Sequence, residues 1–195
     1  MSASLADQHA ADLLPQRFSA LQRVLHWVMA VAILAMLFIG VFMVTAFGPD
    51  YLTLVSIHRP LGIAILALVV IRLAVRIARP APPLPRDLPE PMRLAAMLSH
   101  WALYALMFAM PLLGWAMLSA AAYPVTMVGG FNLPPIVPAD AALHAVLWNA
   151  HHYLAFVFFA LILLHLSGGL FHALMRRDGV FQAMAPHPVR TPPAP

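Results

Sequence analysis

Four histidines in the last apolar stretch of the sequence recur at a helical spacing. His144, His151, His165 and His172 are separated by seven, fourteen and seven residues. Multiples of seven keep side chains on one seam of a helix in a left-handed bundle. Histidine is costly inside hydrocarbon, so such a row indicates function rather than packing. At a rise of 1.5 Å per residue the inner two lie ~21 Å apart along the axis. That separation allows two stacked iron-porphyrin sites across one membrane.

The elements that position these residues must be membrane-spanning helices. The 195-residue chain is 63% hydrophobic and only 9% charged, whereas soluble domains carry about 25% charged residues. Four apolar stretches are long enough to cross a hydrocarbon core, which needs roughly 20 residues. They cover about 27–47, 54–77, 94–121 and 147–174. The sequence therefore predicts an all-α membrane protein, a four-transmembrane-helix bundle with haem sites in its core.

The N-terminal sequence and the lack of cysteine narrow the possible chemistry. Residues 1–16 contain no basic residue, and the apolar run that follows is too long for the hydrophobic region of a signal peptide. We therefore expect an uncleaved first span. The chain has no cysteine, which excludes thiolate ligands, cysteine-bound iron–sulfur clusters and covalent c-type haem.

Basic residues in this chain indicate topology. The formal net charge is +4, and of the eleven arginines only Arg59 falls at the outer set of span ends. The other ten lie at the opposite set of span ends, which is the positive-inside pattern of cytoplasmic segments. Both termini and the second loop are therefore predicted to be cytoplasmic. Nucleic-acid binding is a poorer interpretation of the same charge. The ten remaining arginines are Arg17, Arg23, Arg72, Arg76, Arg79, Arg86, Arg93, Arg176, Arg177 and Arg190.

Three regions organise the chain. We predict a cytoplasmic N-terminal tail over 1–16, a four-helix transmembrane domain over 17–185 and a disordered tail over 186–195. The segment 80–91 (PAPPLPRDLPEP) is too rich in proline to continue a helix and is predicted to form an extended strap. The outer loop, 123–140, has almost no charge and is predicted to lie in the membrane interface.

Counting along the spans pairs histidines at equal depth. The row on span four extends ~42 Å, more than the ~30 Å hydrocarbon thickness, so only His151 and His165 lie within the membrane. Span one starts inside and places His26 at the inner level, with His165. Span two starts outside and places His58 at the outer level, with His151. Two imidazoles on opposite sides of a porphyrin are what bis-histidine ligation needs, so two non-covalent b-type haems are predicted.

Each histidine also has a structural interpretation. A single buried histidine in a membrane helix is often a hydrogen-bonded contact between helices, but two depth-matched pairs favour ligation. His152 points about 100° away from His151 and is interpreted as an interfacial or supporting residue, and His144 as an interfacial one. Glycines fall where a porphyrin would need clearance, namely at Gly40, Gly62, Gly168 and Gly169.

Arg72 lies fourteen residues after His58, on the same side of span two and close to the inner level. An arginine there needs an anionic partner or a route to the interface. All seven acidic residues lie outside the predicted spans, so a haem propionate is the candidate anion. The alternative is that Arg72 extends to cytoplasmic headgroups with Arg76 and Arg79. Both interpretations stay open.

His100 opens span three and His172 closes span four, which places both at the cytoplasmic interface. Reduction of a quinone by two electrons also takes two protons, and histidines that titrate near neutral pH can deliver them. The two residues are therefore candidates for a catalytic quinone or proton site. Anchoring at the interface beside Trp101 explains them equally well.

Four segments resemble the spans of the bacterial cytochrome b561 family: RFSALQRVLHWVMA, SIHRPLGIAILALVVIRLAVRIARP, SHWALYALMFAMPLLGWAM and HHYLAFVFFALILLHLSGGLFHALMRRDG. The resemblance covers nearly all of 17–186. It implies a di-haem b protein of the bacterial inner membrane that exchanges electrons with quinone, with haem ligands at His26, His58, His151 and His165. Arg59, which follows the span-two histidine, departs from the pattern expected of the family. It would draw an anion toward the outer haem, bind its propionate, or contact a headgroup.

The resemblance extends to superoxide oxidases, which reduce ubiquinone with electrons from superoxide, and to haem subunits of hydrogenases. Our leading hypothesis is transmembrane electron transfer from a periplasmic donor, through two haems, to the quinone pool of the respiratory chain. With superoxide as donor the chain is an oxidoreductase; with a redox protein it is a subunit of a larger complex. A histidine-using transporter is disfavoured because the spans lack acidic residues and repeated halves. A cofactor-free anchor would not need matched histidines.

Overall fold

Four long helices make up most of the structure. The computed structural model describes residues 17–85 and 87–186, and each of its long helices is long and apolar enough to cross a membrane. The predicted four-span bundle is therefore confirmed, and the chain is a multi-pass membrane protein. The predicted tails, apart from Pro186, lie outside the described residues. The helices are α1 (Ala20–Thr45), α2 (Gly48–Ala78), α3 (Glu90–Ala120) and α4 (Ala141–Phe171).

Polar residues and prolines start the helices earlier than the apolar runs alone predict. Ser19 caps α1 in a capping box, in which its hydroxyl accepts from the Gln22 amide and the Gln22 side chain accepts from the Ser19 amide. The Asp140 carboxylate caps α4 by accepting from the Leu143 amide at 2.8 Å. Both α2 and α3 carry a proline in the first turn, where the missing amide costs little.

The connections between the helices differ in structure. The segment after α2 has no regular structure in its described part, as predicted, but α3 begins at Glu90 and so includes Pro91. The outer loop contains a small antiparallel hairpin that the sequence analysis did not predict, formed by β1 (Val125–Thr126) and β2 (Asn132–Leu133). Gly129 and Gly130 close it with positive φ angles, a conformation that glycine adopts readily.

The helices pack as two hairpins. α1 packs along α2, α3 packs along α4, and contacts between α2 and α3 join the hairpins. Within the described residues, the backbone of α4 hardly approaches α1 or α2. A slot therefore separates α4 from the first hairpin, and only side chains or a bound group can fill it.

The buried apolar core is small and lies halfway along the bundle. Most other large apolar side chains point outward, including Val31, Phe38, Val70 and Leu164. Outward apolar faces are expected where lipid surrounds the helices and each backbone polar group bonds within its own helix. The core consists of Met29, Ile33, Ile65, Val69, Met107 and Phe158.

The two ends of the described chain meet at one end of the bundle. After α4, a π-helical turn (His172–Arg176) and a short helix α5 (Val180–Met184) fold back over the start of α1. The Phe18 amide donates to the Ala183 carbonyl at 3.1 Å. The indole of Trp27 donates to the carbonyl of Met184 at 2.9 Å. An even number of spans requires this arrangement, with both ends on one side of the membrane.

Candidate functional site

Two histidine pairs cross the slot between the first hairpin and α4. His26 on α1 faces His165 on α4, with ring centroids 6.3 Å apart and ring planes at 71°. His58 on α2 faces His151 on α4, with centroids 6.3 Å apart and planes at 66°. All four residues are half-buried. The partners expected from the depth count therefore lie beside each other in space.

The separation within each pair fits a metal held between the rings. Two imidazoles on opposite sides of one metal, with bonds of about 2 Å and each nitrogen about 1.1 Å from its ring centre, have centroids roughly 6 Å apart. Nδ1 of His58 and Nδ1 of His151 are buried and have no hydrogen-bond partner, although buried polar atoms are normally satisfied. His151 interacts with the backbone of Met110, but Nδ1 is outside hydrogen-bond geometry. Within the described residues, Nδ1 of neither ring therefore forms a hydrogen bond between helices.

Glycines lie against the outer pair. A Cβ on Gly40 would lie 3.9 Å from Cε1 of His58, and a Cβ on Gly114 would lie 3.4 Å from Cε1 of His151. Gly62 instead lies near Met36, and nothing lies within 4 Å of a Cβ on Gly168. Of the four glycines expected to give clearance, Gly40 is thus the one whose Cβ would lie within 4 Å of a histidine of the site.

Gly114 is a site residue that the sequence analysis missed. It lies fourteen residues after His100, and the same interval recurs on every long helix. The residue types at the two ends of the interval differ, so the interval does not stand out as a repeat. The four pairs are His26 and Gly40, His58 and Arg72, His100 and Gly114, and His151 and His165.

His100 belongs to the inner level. Its ring packs against His165, with centroids 5.1 Å apart and planes at 84°. Nδ1 of His100 lies 2.6 Å from the Ala96 carbonyl. A carbonyl only accepts, so Nδ1 is the donor and Nε2 of the neutral ring is left as an acceptor. The position of His100 at the start of the predicted span three indicates the interface, but in the structure its ring contacts His165 of the inner pair.

Arg72 is held at the inner level by Tyr104, which the sequence analysis also missed. Nε of Arg72 donates to the Tyr104 hydroxyl at 3.2 Å, and the guanidinium carbon lies 5.8 Å from the tyrosine ring centre. The positive charge of Arg72 acts on His26, His100 and His165. No carboxylate among the described residues pairs with Arg72. Its guanidinium thus lies near the inner histidines without a carboxylate partner among the described residues.

The prokaryotic cytochrome b561 family model matches residues 17–187, which include every residue that the structure describes. The chain belongs to this family. Membership implies that it binds b-type haem and transfers electrons, which agrees with the chemistry of the two histidine pairs.

Relatives in this family cover most of the chain. It is 32% identical over 174 residues to cytochrome b561 homolog 2 of Escherichia coli K12, an alignment that covers 87% of this chain and 92% of the relative. It is 30% identical to cytochrome b561 homolog 1 of the same organism, with 87% and 97% covered. A protein of Yersinia pestis named probable superoxide oxidase CybB is 29% identical, with 88% and 97% covered.

The arginine at the outer end contacts the outer loop. Nη1 of Arg59 donates to the Pro124 carbonyl at 3.2 Å, just before the hairpin. Its charge acts on the neighbouring His58. The guanidinium of Arg59 therefore lies between the outer histidine level and the outer loop.

His172 lies in a polar cluster at the opposite end of the bundle from Arg59. Its Nδ1 bonds to Oδ2 of Asp178 at 2.8 Å, and the same oxygen accepts from Nε of Arg176 at 2.8 Å. Nη2 of Arg176 donates to Oδ2 of Asp87 in the segment 80–91 at 2.7 Å. Partial burial alone would raise the pKa of Asp178, but the hydrogen bonds from Arg176 and His172 outweigh it and lower that pKa below its usual range.

The two remaining histidines of α4 take different positions. Nδ1 of His144 donates to the Met117 carbonyl at 3.0 Å and so ties α4 to α3. His152 is exposed and packs edge-on against Tyr153 and Phe156 on the outward face. His152 therefore offers a matched comparison for its neighbour His151, which faces the slot.

Proposed function

We propose that this protein carries electrons across the bacterial inner membrane through two b-type haems, from a donor on the periplasmic side to quinone. His58 and His151 would ligate the outer haem, and His26 and His165 the inner haem. The two 6.3 Å pairs across one slot, separated by fourteen residues on α4, are the observation that carries the proposal. Bound haem iron supplies one-electron redox chemistry, and the protein fixes its ligands, burial and spacing.

The unequal surroundings of the two levels support an inward direction of electron flow. Arg72, held by Tyr104, directs a positive charge at the inner histidines. A nearby cation stabilises an added electron and is a suitable partner for a haem propionate. We assign both roles to Arg72. The basic span ends support a cytoplasmic position for this level by the positive-inside rule.

Quinone would be reduced at the cytoplasmic end, near His100 and His172. His100 contacts the inner ligand His165 and keeps an acceptor nitrogen. His172 is connected through Asp178 to a charged cluster at the end of the bundle. Reduction of one quinone takes up two electrons and two protons, and histidine is the side chain that most often transfers protons in enzymes. His100 and His172 are the groups that would deliver them.

Superoxide is the donor that best fits the outer end. Two superoxide ions would give up one electron each and leave as oxygen, and two electrons with two protons would convert quinone to quinol. Arg59 places a positive charge beside His58, which favours the approach of a small anion. The relative named probable superoxide oxidase is 29% identical. The alternative is a cytochrome subunit that accepts electrons from a partner dehydrogenase or hydrogenase.

A haem count tests the proposal. Purified protein should give a reduced-minus-oxidised spectrum of b-type haem with two haems per chain. His151→Ala should lose the outer haem and retain the inner one, whereas His152→Ala, altered at the next residue on the lipid-facing side, should retain both. A single haem in the wild type, or equal haem loss in the two variants, would contradict the two-pair assignment.

The donor is tested on the same sample. Superoxide generated in the presence of ubiquinone should reduce the outer haem first and then yield quinol. Arg59→Gln should weaken the response to superoxide. It should also make that response less sensitive to salt, because ions screen the attraction that the substitution removes. A protein with two haems that stays oxidised under superoxide would instead favour the subunit alternative.

A further inference from the structure

The midpoint between the two histidine levels is occupied by a buried apolar residue on every helix. Halving the fourteen-residue interval of each helix gives Ile33 on α1, Ile65 on α2, Met107 on α3 and Phe158 on α4. All four belong to the small buried core, together with Met29 and Val69. These six residues are called the midplane layer below.

The midplane layer is the best-packed part of the span region. Phe158 is the one buried residue of α4, with 6% of its surface exposed, and Val69 is fully buried. The histidines above and below are only half-buried. Within the described structure, the bundle is therefore closed in the middle and looser at both histidine levels.

The side chains around the midplane layer offer water nothing to bind. No side chain carries nitrogen or oxygen in residues 28–39, 60–71, 105–113 or 154–164. Pro111 has no amide to donate to the carbonyl of Met107 four residues earlier, so this carbonyl is one backbone acceptor of the layer that lacks its usual partner in the helix. The other backbone polar groups of these segments lie in continuous α-helix and bond within it, as a membrane requires. A buried water needs two to four polar partners, and apolar cavities stay dry. Polar groups begin again at the level of the histidine pairs.

We propose that the midplane layer is a dry seal that blocks water and protons between the two histidine levels, so that the bundle passes electrons across the membrane but remains tight to protons. The electron path rests on the proposed function; the seal itself rests on the packing and composition of the layer. Quinone chemistry at one end consumes protons, and a seal keeps that uptake from being supplied through the protein. Hydrophobic constrictions close channels in the same way, by excluding water.

Proton entry into proteoliposomes tests the seal. The holoprotein is reconstituted with a pH-sensitive dye inside, and a potassium gradient with valinomycin drives protons inward. Wild-type vesicles should acidify no faster than protein-free vesicles. Phe158→Asn should accelerate proton entry by about threefold or more, because the amide supplies partners for water within the layer. Phe158→Ala should not, because its cavity is apolar and stays dry.

Two further variants make the result specific. Met107→Gln introduces an amide of similar shape from α3 and should also accelerate proton entry. Val157→Asn places the same amide at the next residue of α4, where 53% of the side chain is exposed on the outward face, and should not. The seal is refuted if wild-type vesicles leak, or if Phe158→Asn and Met107→Gln admit protons no faster than Val157→Asn.

A haem count on the same vesicles separates this inference from the proposed function. A leaking variant that retains both haems supports the seal. A variant that leaks only when it has lost a haem contradicts it, because the leak then follows the altered haem site. A wild-type protein with fewer than two haems contradicts the proposed function. The seal is then tested by the rate of proton entry alone.

Discussion

The imidazole of His100 packs edge-on against His165 at a centroid distance of 5.1 Å, closer than His26, which lies 6.3 Å from the same ring. The inner level therefore holds three histidines, whereas the outer level holds a pair. Two rings suffice for bis-histidine ligation. The third ring, fixed by its bond to Ala96, is available for other chemistry.

His100→Phe should retain both haems but slow quinone reduction by about a hundredfold or more, in line with the usual contribution of a proton-transferring side chain. Phenylalanine keeps an aromatic ring against His165 and removes both nitrogens. Steady-state reduction of a soluble quinone measures the effect, with His152→Phe as the control. Loss of the inner haem would instead make His100 a part of the haem site.

Arg72→Gln should lower the reduction potential of the inner haem, because the positive charge that favours the added electron is removed. An interaction on the order of 1 kcal/mol corresponds to about 40 mV for one electron. Tyr104→Phe should shift the potential in the same direction by less, since the guanidinium is kept but released. Redox titration of both haems measures the shifts; an unchanged inner potential in both variants would remove Arg72 from the site.

Gly114→Val should displace His151 and reduce the haem content from two to about one. The Cβ alone lies 3.4 Å from the ring, and valine adds two methyl groups beyond it. Ala105→Val is the matched control, because Ala105 is exposed on the same helix, α3. Haem loss in both variants would point to a general effect of valine on α3.

Asp178→Asn should lower the thermal unfolding temperature at pH 7 by a few degrees. The lowered pKa of Asp178 means that its ion pairs stabilise the folded state fully above its unfolded pKa of about 3.9 and less as pH falls through the folded value. The difference between wild type and variant should therefore shrink below about pH 4.

The control for this prediction is Asp87→Asn. Asp87 bonds to the same Arg176, but its side chain is 76% exposed, so its loss should have a smaller effect. Unfolding followed by helix content in detergent at several pH values measures both variants. An Asp178→Asn difference that is independent of pH would show that the ion pairs do not stabilise this end.

Much of the fold was predictable from composition along the chain. Apolar runs separated by proline-rich or loop segments gave four spans, because crossing hydrocarbon demands length and lack of charge. The N-caps Ser19 and Asp140 lay outside those runs, since capping depends on polar residues that hydropathy leaves out. The outer hairpin was missed because each of its strands is only two residues long.

The sequence by itself determined the four spans and the relative depths of His26, His58, His151 and His165, and hence which of these could share a level, because rise per residue fixes height along a helix. Only the tertiary structure decided what each side chain meets across the bundle: that His100 packs on His165, that Tyr104 holds Arg72, that Gly114 borders His151 and that Phe158 closes the midplane. Those contacts depend on how each helix is rotated and packed against its neighbours, and spacing along a single helix carries no information about the helix opposite.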